Sequence, residues 1–108
     1  NVRRGEASAI LDPDCRKIFN GNLITTDSES FVMDLLSVYR NIGGWKVIPI
    51  EIIDATKDGV IVFRSMIETQ NLGVYTAIVI LRFNDEGLIS EINEVFSFVE
   101  NQYEFCTD

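Results

Sequence analysis

Four strand-like segments separated by three short turns constrain the fold of this chain more than any other feature. From Trp45 onward, apolar residues recur with a period of two, and evenly spaced glycines end the turns, at Gly59, Gly73 and Gly87. The segments span about 45–54, 60–69, 74–83 and 88–99. Because turns this short join antiparallel neighbours, the pattern predicts a four-stranded meander.

The residues before the meander predict helices and one short strand. Residues 5–11 have a helical pattern, and residues 15–21 predict a strand that ends in an Asn-Gly turn. Thr26 and Glu29 have the spacing of a capping box, and an apolar stripe at helical intervals then predicts a helix over 27–42. Helical elements followed by a sheet indicate the α+β class, and the length suits a single domain over the whole chain.

Hairpin register sorts the strand side chains onto two faces. We expect two-residue loops at Asn71-Leu72 and Asp85-Glu86, which place Val79 directly opposite Arg64 and put Glu94 on the same face. This aromatic face also carries Trp45, Glu51, Tyr75 and Phe96. The opposite, isoleucine-rich face carries Ile48, Ile50, Phe63, Ile78 and Ile80.

The predicted helix can cover only one of these two faces. An uncovered apolar sheet surface of this size is an association site. The simplest cover for it is a second copy of the same chain. We therefore expect a homodimer formed through the isoleucine-rich face.

Composition excludes several classes of binding partner and of catalytic or metal site. The net charge of −8 argues against nucleic acid and anionic membranes as partners, since both require a basic surface. The longest apolar runs are too short to span a bilayer. The chain has no His and only two cysteines, Cys15 and Cys106, so zinc sites of Cys and His and triads with His are excluded. We expect no metal, no cofactor and two free thiols in a cytoplasmic protein, with a Cys15–Cys106 disulfide as the alternative.

The order of elements, together with the sequence ILRFNDEGLISEI over residues 80–92, resembles the nuclear transport factor 2-like superfamily, in its ketosteroid isomerase and SnoaL-like polyketide cyclase branch. The resemblance covers nearly the whole chain apart from a long first helix. It implies a cone-shaped fold, in which a curved antiparallel sheet wraps around N-terminal helices. It also implies an apolar pocket on the concave sheet face and a dimer through the convex face. Because the sequence starts at Asn1 without Met, we expect part of the first helix to be missing.

The catalytic groups of ketosteroid isomerases are not found at the matching positions. Those enzymes use a carboxylate base together with a protonated Asp and a Tyr. Aligned on the ILRFNDEG stretch, the Asp falls at Val79 and the base near Ile18, while the Tyr would lie on the missing helix. We therefore expect no isomerisation by that mechanism.

The charged residues of the aromatic face leave three functional hypotheses open. Arg64 needs partners if buried, and Glu51 and Glu94 can satisfy it as a structural ion pair. The same groups can instead bind the polar end of an apolar ligand, with Tyr75 and Trp45 either closing the pocket or belonging to the core. The leading hypothesis is a small-molecule-binding domain. One alternative is a cofactor-independent isomerase, cyclase or hydratase in which Glu94 or Glu51 transfers a proton, and the other is a protein-interaction domain.

Overall fold

The computed structural model describes residues 9–99, which form one helix packed against a six-stranded sheet. The helix, α1, spans Ser28–Asn41. The strands are β1 (Leu11–Phe19), β2 (Asn22–Thr25), β3 (Trp45–Ala55), β4 (Val60–Thr69), β5 (Val74–Phe83) and β6 (Ile89–Phe98). The predicted α+β class and all four meander strands are confirmed. Most of the helix predicted over residues 5–11 lies outside the described residues, and Leu11 already belongs to β1.

The N-terminal hairpin joins the meander through a parallel pairing of β1 with β6. The sheet order is β2-β1-β6-β5-β4-β3, so β2 and β3 form its edges. At the turn after β1, Asn20 and Gly21 have φ angles of 48° and 82°, which suit a tight hairpin. The Asn20 N–H donates to the Glu94 carbonyl, and its side-chain oxygen accepts from the Phe96 N–H, both at 2.8 Å. The sequence predicted this turn but neither β2 nor the attachment to β6.

The turn between β4 and β5 has three residues instead of the predicted two. The Thr69 N–H donates to the Gly73 carbonyl at 3.0 Å, and Gly73 has a φ of 84°, which a residue with a side chain rarely adopts. As a result, Phe63 rather than Arg64 lies opposite Val79. Because successive strand residues point to opposite faces, the predicted placement of Arg64 with Val79, and of Phe63 on the opposite face, is wrong.

The turn between β5 and β6 also differs, but there the predicted face survives. The Asn84 N–H donates to the Leu88 carbonyl at 2.8 Å, which makes a three-residue loop, and a bulge at Arg82/Phe83 adds a second shift. Each shift alone would move the paired residues to the opposite face, and the two together return them to the predicted face. Val79 therefore lies opposite Glu94, and the two residues share a face as predicted.

A bulge in β3 between Pro49 and Glu51 exchanges the faces partway along that strand. Before it, Val47 pairs with Ile67, on the face that carries Val79. After it, Glu51 pairs with Arg64 on the opposite face. The prediction that Glu51 lies on the face with Glu94 is wrong because Glu51 pairs with Arg64, as predicted, and the three-residue β4–β5 turn moves both to the outer side of the sheet. The bulge has the opposite effect on the start of β3, where it returns Val47 to the predicted face.

The face that carries Phe63, Val79 and Glu94 packs against α1 and is called the inner face; the other is the outer face. The N-terminal half of α1 contributes Val32 to the core, which also contains Leu11 and Cys15 from β1, Val79 from β5 and Ile92 from β6. The helix is capped by Asp27, whose carboxylate accepts from the Ser30 N–H at 2.7 Å, one residue later than the predicted cap. Within residues 9–99, no helix has both the length and the apolar character needed to cross a membrane.

Candidate functional site

A cavity of about 580 Å³ lies between the inner face and the C-terminal half of α1. Cavities of this size hold small organic ligands. Its walls are largely apolar and rich in aromatic rings. They are formed by Phe19, Ile24, Leu35, Val38, Ile42, Trp45, Val47, Phe63, Ile67, Leu72, Tyr75, Val79 and Phe96.

Three charged side chains meet at this cavity. The Lys17 ammonium donates a hydrogen bond to Asp34 Oδ2 at 3.0 Å and lies 3.6 Å from Glu94 Oε1. The Lys17 side chain is only 9% exposed, against 30% for Asp34 and 21% for Glu94. Lys17 Nζ also lies 5.9 Å and 5.7 Å from the ring centroids of Phe19 and Phe31, within the range of cation–π attraction. We call Lys17, Asp34 and Glu94 the charged cluster.

The fold brings the charged cluster together from three separate elements. In the parallel β1–β6 pairing, Phe19 is opposite Glu94, so Lys17, two residues earlier, extends from the same inner face. Asp34 stands three residues after Phe31 and four before Val38, so it lies on the side of α1 that faces the sheet. No two members are neighbours in sequence.

Burial raises the pKa of the Glu94 carboxyl above its ordinary value of 4.5. The nearby Lys17 ammonium opposes this rise, and the Asp34 carboxylate adds to it. A carboxyl group with a raised pKa in an apolar cavity can donate as well as accept a hydrogen bond. A carboxyl group with a raised pKa in a cavity is also a candidate for proton transfer.

The cavity also has a buried uncharged polar group in its wall. Ser65 is 1% exposed, and its hydroxyl has no hydrogen-bond partner among residues 9–99. Cys15, in contrast, belongs to the core, and burial raises its thiol pKa to about 11, which does not favour a reactive thiolate. In the same part of the chain, no three His, Cys, Asp or Glu side chains are grouped as metal ligands.

The structure separates the predicted site residues into two groups. Five of them, Trp45, Tyr75, Val79, Glu94 and Phe96, line the cavity. Arg64 and Glu51 lie on the outer face, where Arg64 Nε is 3.7 Å from Glu51 Oε1 and both side chains are more than half exposed. Their predicted position in the pocket is wrong because the three-residue β4–β5 turn moves Arg64 to the other face, and Glu51, which pairs with Arg64, moves with it. An ion pair this exposed contributes little to stability.

Sequence reasoning missed Lys17 and Asp34. Each interrupts an apolar pattern in the sequence, and this interruption could have indicated a charged residue inside the fold. Lys17 lies between the apolar Cys15 and Phe19 on one face of β1, and Asp34 lies within the apolar stripe of α1. A charge at such a position needs a partner across the core.

Comparison with solved structures identifies the architecture. A proposed SnoaL-like polyketide cyclase from Jannaschia sp. CCS1 matches with a TM-score of 0.76 and 12% identity, over 87% of this chain and 72% of that one. This chain has the fold of the SnoaL-like proteins. The predicted cone-shaped fold is thereby confirmed.

Two further structures with the SnoaL-like fold show the same relationship. A proposed isomerase of the SnoaL-like family from Agrobacterium tumefaciens matches with a TM-score of 0.69 and 11% identity, over 88% of this chain and 80% of that one. IdmH, a proposed polyketide cyclase from Streptomyces antibioticus, gives 0.69 and 12%, over 86% and 79%. No protein-family model and no curated protein matches the sequence. At this level of identity, the similarity is one of fold.

We predict that Glu94→Gln becomes more stable relative to the wild type as the pH rises. A pKa raised in the folded state means that the folded chain keeps the Glu94 proton to higher pH than the unfolded chain does. Wild-type stability is therefore lost between the ordinary value of 4.5 and the raised pKa, and the amide removes this loss. The free energy of unfolding of the variant minus that of the wild type should rise through this window, by about 1.4 kcal/mol for each unit by which the pKa is raised.

Urea unfolding at a series of pH values measures this difference. Glu86→Gln, in the exposed β5–β6 turn, controls for the loss of one negative charge. A curve for Glu94→Gln that coincides with the control curve would contradict the prediction.

Proposed function

We propose that this chain is a small-molecule-binding domain whose cavity takes an apolar ligand with one polar end. The observation that carries the proposal is a cavity of about 580 Å³ with apolar walls and a single charged cluster. Apolar walls supply affinity by removing ligand surface from water, and a few polar groups fix the orientation. The activities proposed for the structural neighbours, polyketide cyclisation and isomerisation, are reactions of small organic molecules.

The predicted binding residues that line the cavity take distinct roles in this proposal. Glu94, with Lys17 and Asp34, meets the polar end of the ligand. Val79, opposite Glu94 in the sheet, and Phe96, two residues further along β6, contact its apolar body beside that end.

Two aromatic residues support the more distant part of the ligand. The Tyr75 ring lies 6.2 Å from that of Phe96 and 5.4 Å from that of Phe98, measured between centroids. Trp45 is held edge-on against Tyr39, with the ring centroids 4.7 Å apart. Rings fixed by such contacts offer rigid apolar surface at low entropic cost.

A second candidate function is a cofactor-independent isomerase, cyclase or hydratase with Glu94 as the proton-transfer group. The observation that favours it is a carboxyl group of raised pKa within 3.6 Å of an ammonium group. Glu94 would remove a proton from a carbon next to a carbonyl, and Lys17 would stabilise the negative charge that develops on the oxygen. Glu51, the other candidate from the sequence, lies outside the cavity and has no part in this mechanism.

We predict that filling the cavity abolishes ligand binding without unfolding the chain. Val47 lines the cavity from the edge strand β3 and is 46% exposed, so Val47→Trp places a ring in the ligand space. Leu23→Trp is the matched control, because Leu23 is a 56% exposed residue on the other edge strand, outside the cavity lining.

A thermal-shift screen of apolar alcohols, ketones, amines and acids measures the effect, and circular dichroism verifies folding. Compounds that stabilise the wild type and Leu23→Trp should fail to stabilise Val47→Trp. Equal stabilisation of both variants would place binding outside the cavity and contradict the proposal. Compounds recovered unchanged after incubation indicate a binding domain, and converted compounds indicate the enzyme.

We also propose that the outer face pairs two copies of the chain. Ile48, Ile78 and Ile80 lie on this face as predicted, and Ile78 is 43% exposed. Ile50, at the β3 bulge, is 47% exposed, whereas Phe63 lines the cavity and is not part of this surface. Charged pairs lie on the same face beside this apolar centre; one of them joins Arg16 Nη2 to Glu91 Oε1 at 2.6 Å. An apolar centre with a polar margin is the usual anatomy of an interface.

We predict that Ile78→Glu converts a dimer to a monomer, because the carboxylates of the two copies would be buried close together. Light scattering at micromolar concentration measures the mass. Ile52→Glu, at a 66% exposed residue of β3 that pairs with Phe63 on the inner face, is the control and should remain dimeric. A wild type with the mass of one chain would contradict the proposal.

A further inference from the structure

We infer that the polar end of the ligand is a positively charged amine. This inference rests on the proposed function and concerns the same cavity. The supporting observations are the charge count of the cluster, its hydrogen-bond geometry and the rings around it.

The charged cluster contains one more negative than positive charge when all three groups are ionised. Asp34 and Glu94 contribute two carboxylates, and Lys17 contributes one ammonium group. Among the residues of the range 9–99 that line the cavity, the only other titratable side chain is Tyr75. Because an uncompensated charge is costly in an apolar environment, the cluster needs one additional positive charge, from a proton or from a ligand.

Glu94 is the member that has capacity left for a ligand. Lys17 is hydrogen-bonded to Asp34 at 3.0 Å, whereas its contact with Glu94 is longer, at 3.6 Å. The charged groups that face Glu94 are Lys17 from β1 and Asp34 from α1. On β5, the residue opposite Glu94 is the apolar Val79.

The rings near Glu94 favour a cation as well. Phe19 lies opposite Glu94 in the β1–β6 pairing, and the centroids of Phe19 and Phe96 are 5.2 Å apart. The chain already holds one ammonium group in this way, since Lys17 Nζ lies between carboxylates and within 5.9 Å of the Phe19 ring. A ligand amine at Glu94 would meet the same combination of carboxylate and aromatic face.

Other ligand ends suit the charged cluster less well. A carboxylate ligand would add a third negative charge beside Asp34 and Glu94. A hydroxyl or carbonyl group would leave the excess charge uncompensated unless Glu94 takes up a proton. An ammonium group neutralises the cluster and replaces that proton, so the affinity for an amine should rise with pH as Glu94 loses its proton.

Three probes of one shape test the inference: naphthylethylamine, naphthylethanol and naphthylacetate, each titrated calorimetrically into the wild-type chain. The amine should bind at least about tenfold more tightly than the alcohol, and the acid most weakly. In Glu94→Gln the amine should lose about tenfold in affinity, while the alcohol should be unchanged. Glu86→Gln removes one negative charge from the surface and should bind all three probes as the wild type does.

A second measurement needs no variant. In the wild type, the affinity for the amine should increase with pH across the titration of Glu94, with release of a proton on binding, whereas the affinity for the alcohol should stay level.

Preference for the alcohol or the acid, equal loss of amine affinity in Glu94→Gln and Glu86→Gln, or a pH-independent amine affinity would each overturn the inference. If the chain preferred the alcohol or the acid, and if Val47→Trp abolished that binding, the proposed function would stand although the inference had failed. If none of the three probes bound to the wild type, the result would count against the proposed function and the inference together.

Discussion

The buried ammonium group of Lys17 is the interaction on which the arrangement of this molecule depends. A charge that is 91% removed from solvent needs partners, and both of its carboxylate partners lie on other elements. Asp34 has to come from α1 and Glu94 from β6, so β1 is held next to β6 and beneath the helix. The same ion pairs line the wall of the cavity. The contact that positions the N-terminal hairpin therefore also determines where the ligand of the proposed function would meet charge.

Stability alone is a poor explanation for this cluster. Replacing a buried ion pair by well-packed apolar residues is often neutral or stabilising, by about 1–4 kcal/mol. An apolar core is already present nearby, with Cys15 and Ile92 on neighbouring strands and Val32 on the helix. The burial that raises the pKa of Glu94 is itself unfavourable for the ionised form. A charged cluster beside a core that could replace it therefore supports the proposed binding function.

The architecture was predictable from local patterns, whereas the composition of the site depended on single residues in turns. Gly59, Gly73 and Gly87 marked the hairpins, and the period-two pattern gave the strand limits almost to the residue. The residues around Gly73 are compatible with both a two-residue and a three-residue loop. This difference of one residue in loop length decides whether Arg64 or Phe63 lies on the inner face. The β3 bulge had a signal in Pro49, which lacks the N–H that a regular ladder requires.

The charged cluster was beyond local reasoning for a different reason. Lys17 and Glu94 meet only because β1 pairs in parallel with a strand about 75 residues later, and no periodicity within either segment encodes that pairing. The resemblance to the nuclear transport factor 2-like superfamily gave the cone-shaped fold and the presence of a pocket. The positions of the charges inside that pocket follow from the β1–β6 register together with the helical position of Asp34.

The most direct test of this account is an NMR titration of the Glu94 side-chain carboxyl in the wild type and in Lys17→Met, with Lys57→Met, in the exposed turn between β3 and β4, as control. The account predicts a wild-type pKa above 4.5 and a higher one in Lys17→Met, because the ammonium group that favours the carboxylate is gone, with no change in the control. An ordinary pKa in the wild type that does not respond to Lys17→Met would show that the two side chains do not meet in the cavity and would contradict the account.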